Sequence, residues 1–176
     1  MADTKISALP SATTPVAGTE VVPIVQGGVT KKLPLSAIKG TVLQVVTSTT
    51  STKVDSTSST FADTGLSASI TPISTSNKVL VFATISGIFN NGAATTGTML
   101  RLLRGAAEIV VMENVAAYSP DAVGTGSSST QYLDSPASTS SVTYKVQFAN
   151  RNAAGQVSVQ FDGNSTSSIV LMEIAA

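Results

Sequence analysis

The chain contains no histidine and no cysteine. Their absence removes the Ser-His-Asp triad, Cys-His nucleophiles and the usual zinc ligands. The lack of cysteine also rules out a disulfide scaffold. Charge is scarce as well. Ten Lys and Arg balance ten Asp and Glu in 176 residues, so charged residues make up 11% and the net charge is zero, against about a quarter in an ordinary domain. No apolar run approaches the ~20 residues of a membrane helix; the best, residues 79–89, is interrupted by Thr84, Ser86 and Gly87. The N-terminus shows no basic-then-apolar signal peptide, so synthesis in the cytoplasm and no membrane partner are expected. Basic residues are scattered, with Lys31-Lys32 the adjacent pair and Arg101/Arg104 the close one. Without a basic patch or stacked aromatics there is little basis for nucleic-acid binding.

What remains for catalysis is carboxylate chemistry, such as glycoside hydrolysis by two acids about 5–10 Å apart. The acids fall mostly at turn positions, among them Asp55, Asp63, Asp121, Asp134 and Asp162, and nothing marks a pair. No enzyme and no cofactor are expected. Hydrophobic residues nonetheless reach 42%. A monomer of this composition would show water a Ser/Thr/Ala/Gly surface with little charge repulsion. Burial of that surface between copies resolves the difficulty, and closed symmetry makes a homotrimer the expected form.

The first forty residues differ in kind from the rest. Four of the seven prolines, Pro10, Pro15, Pro23 and Pro34, fall there, and each pushes its preceding residue towards extended geometry. Apolar runs at 20–25 and 29–35 flank Gln26-Gly27-Gly28, a hairpin signal. An isolated two-stranded ribbon is marginal in water, so this arm needs a surface to lie on. Its apolar residues Ile6, Leu9, Val22, Ile24 and Leu33 are the candidates for that contact. Two readings stay open: an anchor for another protein, or a strand pair of the main domain. Residues 34–40 suggest a single helical turn stopped by Gly40, which places a boundary between an arm, 1–40, and a domain, 41–176.

Beyond it the chain reads as strands. The strongest is 78–89, where Val79, Val81, Ala83 and Ile85 face one way and Leu80, Phe82 and Thr84 the other, a pattern that suits a central strand covered on both sides. Residues 99–104 and 108–112 predict a hairpin around Gly105. The alternation Val142, Tyr144, Val146, Phe148 points inward, and Val157, Val159 and Phe161 repeat it. Residues 118–130 read as a long polar loop, and 169–174 as a last, nearly all-apolar strand. Nine or ten short strands and no helix of two turns indicate an all-β fold. A jelly-roll-like two-sheet β-sandwich is expected, because paired sheets protect the strand edges that so uncharged a chain leaves open.

Two stretches carry a resemblance. The string ISALP, ATTP, AGTE, PIVQGG, TKK within residues 5–38 resembles the N-terminal segment of many tailed-phage virion proteins, particularly fibres and spikes. The strings VLQVVTSTT, FADTGLSASITPISTSNKVLVF, RLLRG, YLDSP, TYKVQF and LMEIAA resemble a module common in phage structural proteins. The resemblance implies a virion location, fibre-like assembly and attachment through the N-terminal end to a capsid or tail protein. It carries no catalytic or ligand residues. A short appendage, a head fibre or decoration or a stubby tail fibre, fits a chain without a long repetitive shaft.

Other features have paired readings. Tyr118 and Tyr132 flank the predicted loop and could stack on a host-surface glycan, or else pack in the core. Asp162-Gly163-Asn164-Ser165 spaces oxygen ligands as a calcium loop does, but lacks further acids and makes an ordinary turn. Gly92–Gly97 and Gly124–Gly126 lack the following Lys-Ser/Thr of a phosphate loop. Arg101 and Arg104, three apart on a strand, fall on opposite faces, solvated or paired with Glu108, Glu113 or an acid of another subunit.

Overall fold

The computed structural model describes residues 21–34, 41–91, 96–118 and 123–176, all in strands, turns and loops. It divides into two compact units, Met1–Thr41 and Val42–Ala176. In the first, β1 (Val21–Gln26) and β2 (Val29–Pro34) form an antiparallel hairpin in which Gln26 faces Val29. The two turn residues, Gly27 and Gly28, have φ of 62° and 76°. Positive φ at both central positions defines the type I′ turn that matches strand twist, which is why two glycines stand there. Of the suggested helical turn at 34–40, Pro34 is the last residue of β2; residues 35–40 and the arm residues Ile6 and Leu9 lie outside the described residues.

The second unit contains β3 (Val42–Thr50), β4 (Val54–Ser56), β5 (Ala62–Ile70), β6 (Lys78–Asn90), β7 (Thr98–Arg104), β8 (Ala107–Ala116), β9 (Gly124–Asp134), β10 (Val142–Asn150), β11 (Val157–Val159) and β12 (Ser167–Ile174). The pairing is nested. The strand β3 pairs with β12, β5 with β10, β6 with β9 and β7 with β8, all antiparallel. This long folded-over hairpin is laid out in two sheets, β5-β10-β7-β8 and a six-stranded sheet whose jelly-roll strands β3-β12-β6-β9 are joined at β6 by β11 and then β4. That strand order is a jelly roll, the expected fold.

The core lies between the sheets. Leu66 and Ile70 from β5, Leu100 and Leu102 from β7, and Tyr144, Val146 and Phe148 from β10 meet Val79, Val81 and Ile85 from β6 and Ile169 and Leu171 from β12. The period-2 pattern of each strand dictates this, since only alternate residues can point into the same layer.

Three expectations are corrected. The strand β6 is covered on one side only: Val79 and Val81 are fully buried, whereas Phe82 is 39% exposed. A single jelly roll has nothing to place over the outer face of its sheet. Most of the predicted loop 118–130 is strand, because β9 begins at Gly124 and pairs with β6 along its length. Phe161 does not continue the inward alternation: Gln160 takes φ 51° and is itself fully buried, and Phe161 turns outward.

One irregularity positions a surface feature. Between Ile85 and Ile88 the β6–β9 register slips by one residue, with Gly87 at φ 61°. A Cβ at Gly87 would sit 2.7 Å from the Ser165 Cβ, so only glycine fits. The bulge keeps both Ile85 and Ile88 in the core although they are three apart. It also transfers β6 from β12, paired up to Thr84, to β11, paired at Phe89 and Asn90.

Candidate functional site

The predicted contact residues of the arm that can be placed, Val22, Ile24 and Leu33, are all half-buried. Val22 and Leu33 are direct cross-strand partners, and Ile24 lies two residues along on the same face. The hairpin thus groups these three residues on one side, bordered towards the turn by Lys31 and Gln26, which are hydrogen-bonded at 3.2 Å. The candidate glycan residues are not brought together. Tyr132 is half-buried against the core on β9, while Tyr118 is exposed beyond the end of β8. From Gly124, where β9 starts, to Tyr132 the strand rises roughly 26 Å.

Sequence reading missed an aromatic pair. Phe89 and Phe161 stack with centroids 3.8 Å apart and planes inclined by 7°. The Lys53 ammonium lies 5.1 Å from the Phe161 centroid. Beside them Gly87, Thr125, Gly126, Asp162 and Ser165 line a shallow depression of about 160 Å³, smaller than the ~300–1,000 Å³ of ligand pockets. Asp162 serves the adjoining turn: its Oδ1 accepts the backbone N–H of Ser165 at 2.7 Å and of Asn164 at 3.1 Å. These bonds, that of Ser165 foremost, hold its carboxyl below the usual range. The two phenylalanines are 72 positions apart in the chain, and the bulge at Gly87 and the turn at Gln160 lie beside them.

The carboxylates are built into the fold. Of the ten acids, Asp3, Glu20 and Asp121 lie outside the described residues; each of the other seven has a structural partner. Asp134 at the end of β9 is buried and accepts the Tyr144 hydroxyl at 2.6 Å and the Arg104 guanidinium at 2.9 Å. This tie joins the two sheets, and burial together with the bond to Asp134 raises the Tyr144 pKa far above that of a free phenol. Glu173 is fully buried and accepts Asn77 Nδ2 and Gln44 Nε2, each at 2.6 Å, and the Ile73 backbone N–H at 2.7 Å. Asp55 accepts Ser158 Oγ and Lys53; burial pushes its carboxyl up, but these two bonds outweigh it and the net shift is downward. Glu113 caps its own following amides. Among the described residues, no three acids gather where a metal ion would bind, and no helix is long and apolar enough to cross a membrane.

Asp63 and Glu108 belong to the outer face of the β5-β10-β7-β8 sheet. Asp63 pairs with Lys145 at 2.9 Å and accepts Gln147 Nε2 at 2.8 Å. The Gln147 Oε1 in turn accepts Arg101, which pairs with Glu108 at 3.2 Å and covers the Phe61 ring at 4.0 Å. Arg101 and Arg104 are thus on opposite faces as expected, and both are paired. The outer face of the other sheet is different. There the cross-strand row Val45–Met172–Leu80–Leu133 runs over all four strands, and Val170 pairs with Phe82 in the next row.

No protein-family model matches the chain, and no curated protein matches it in sequence. Among solved structures it is similar to the infectious bursal disease virus VP2 subviral particle, with 11% identity and a TM-score of 0.45 over 96% of this chain. A structure of the Gx strain of infectious bursal disease virus gives 10% identity and a TM-score of 0.41, again over 96% of this chain. The chain spans only 41% and 40% of those chains. At this level of likeness the fold assignment rests on the nested strand order of the chain itself.

Proposed function

We propose that this chain is a structural protein of a tailed-phage particle, a short homotrimeric fibre or spike. Residues 1–40 anchor it to a capsid or tail protein, and the jelly roll of residues 42–174 is the displayed knob. The observation that carries this reading is the virion-type string ISALP…TKK set directly before a charge-poor jelly roll. The chemistry of the chain supports a non-enzymatic role, because histidine and cysteine are lacking and every described carboxylate is held by a structural partner. The grouping of Val22, Ile24 and Leu33 on one side of the hairpin supports the anchor.

The test separates folding from attachment. Deleting residues 1–40 leaves a soluble knob with nearly unchanged unfolding behaviour, because the jelly roll carries its own core, and abolishes incorporation into particles that lack the protein. A truncation that aggregates, or one that still decorates the particle, overturns the anchor.

A further inference from the structure

We propose that the outer face of the β3-β12-β6-β9 sheet is the surface through which copies of this chain associate. Four side chains, Val45, Met172, Leu80 and Leu133, stand in one cross-strand row, and Val170 and Phe82 stand beside them in the next. Val45 and Leu133 are each 52% exposed. Such residues belong to buried sheet faces, since the pleat presents them side by side as one continuous apolar plate. Thr47 and Gln131 already close the two ends of the Phe82 row, and the row after it is Thr49, Ser168, Thr84 and Ser129, in which Thr84 and Ser129 satisfy each other at 2.9 Å. An apolar centre bordered by hydroxyls is the anatomy of an interface core and rim.

The electrical character of the plate selects its occupant. Among the outward positions of these four strands the one charge is Lys78, engaged with Ser135 Oγ at 3.0 Å. A partner recognised by charge, such as nucleic acid, an anionic membrane or an acidic peptide, finds nothing to pair with. The complement of an uncharged apolar plate is another uncharged apolar surface, and this chain supplies one with every copy; in the homotrimer proposed above, the plates of the three copies turn towards the common axis. Four strands ~4.8 Å apart, followed over about seven residues, make a plate roughly 20 Å on a side. That is about 400 Å², half of the ~800 Å² a standard interface takes from each partner, so the plate is the centre of the contact and the surface around it supplies the rest. The inference rests on the oligomeric reading above and deepens it by naming the shared surface.

The test uses the full chain, with Phe82→Glu and Leu133→Glu compared with Ser67→Glu on the opposite outer face. Masses are measured by sedimentation at micromolar concentration. The unchanged chain and Ser67→Glu are expected to be oligomers, and the two face variants folded monomers whose association is weakened at least about a hundredfold. Folded face variants that keep the native mass overturn the face while leaving oligomerisation intact. A native chain that is monomeric overturns both. A native dimer dissociated by the face variants upholds the face and overturns the trimer. Because the chain has no cysteine, Leu133→Cys gives a second readout that tolerates the face. In the oligomer its maleimide labelling is expected to be about tenfold slower than that of Ser67→Cys, and equal rates overturn the proposal.

Discussion

The two outer faces of the jelly roll are built from strands of similar length and turn opposite chemistry outward. On the β5-β10-β7-β8 face, Asp63, Lys145, Gln147, Arg101 and Glu108 form one connected chain of polar contacts. On the β3-β12-β6-β9 face the corresponding positions hold Val45, Met172, Leu80, Leu133, Val170 and Phe82. A chain with only twenty charged residues, ten of each sign, gathers several of them on one face and leaves the four strands β3-β12-β6-β9 of the other nearly bare, with the Lys53–Asp55 pair set apart at β4. The difference shows that low charge here is not a uniform property of the surface. One face is equipped to meet water, and the other has the side chains of an interior.

The comparison breaks first on the aromatics. Phe148 is fully buried between the sheets and Phe82 stands on the bare face. Phe148→Ala is expected to cost about 3–5 kcal/mol in urea unfolding. Phe82→Ala, measured at dilutions where the chain is monomeric, is expected to cost about 1 kcal/mol, because its ring is only part-covered. Equal losses at high dilution would mean that the bare face is covered within one chain.

The next largest effect concerns the tie that holds the faces back to back. Asp134→Asn leaves the Arg104 guanidinium without its counter-charge and weakens the acceptor of the Tyr144 hydroxyl, a loss of about 2 kcal/mol. The pH dependence has a definite sign. The folded pKa of Tyr144 is raised above its ordinary 10.0, so its contribution is fully present below pH 10 and is lost as pH rises beyond it. Unfolding midpoints should therefore begin to fall above pH 10 and go on falling as the pH rises towards the raised folded value, and Tyr144→Phe should remove that part of the decline.

The smallest effect is on the charged face itself. Lys145→Ala removes an ion pair with the half-exposed Asp63 and should change stability by no more than about 0.5–1 kcal/mol. Bonds from Gln147 and then Lys145 hold the Asp63 carboxyl below its ordinary 3.8. Its contribution is thus present above that pH and is lost as the solution is acidified through the lowered value. A Lys145→Ala loss as large as that of Asp134→Asn would show that the polar chain, too, is an interior feature.

Much of this arrangement was legible in residue order. The Gly27-Gly28 hairpin, the β7–β8 hairpin and the inward set Tyr144, Val146 and Phe148 all follow from local rules, turn chemistry and a period of two. The site features were less so. Alternation along β6 identifies two apolar faces but does not say which is covered, and the reading that both were covered failed at Phe82. The stack of Phe89 on Phe161 depends on Gln160 leaving the strand conformation, and the run Val157–Phe161 gives no sign of that.

The sequence by itself determined that the protein is all-β, because prolines, β-branched runs and closely spaced turn residues leave no room for a helix. It also determined which catalytic groups were left, since without histidine and cysteine only carboxylate chemistry remains. Only the tertiary structure decided which residues meet across the sandwich. Asp134 and Arg104 are thirty positions apart and Glu173 and Gln44 are 129 apart, and such contacts depend on how nested strands are laid into two sheets. The same folding decided that the scarce charges share one outer face while an apolar plate covers the other. A strand encodes two faces equally well, and which one turns outward is settled only when a second sheet covers its opposite side.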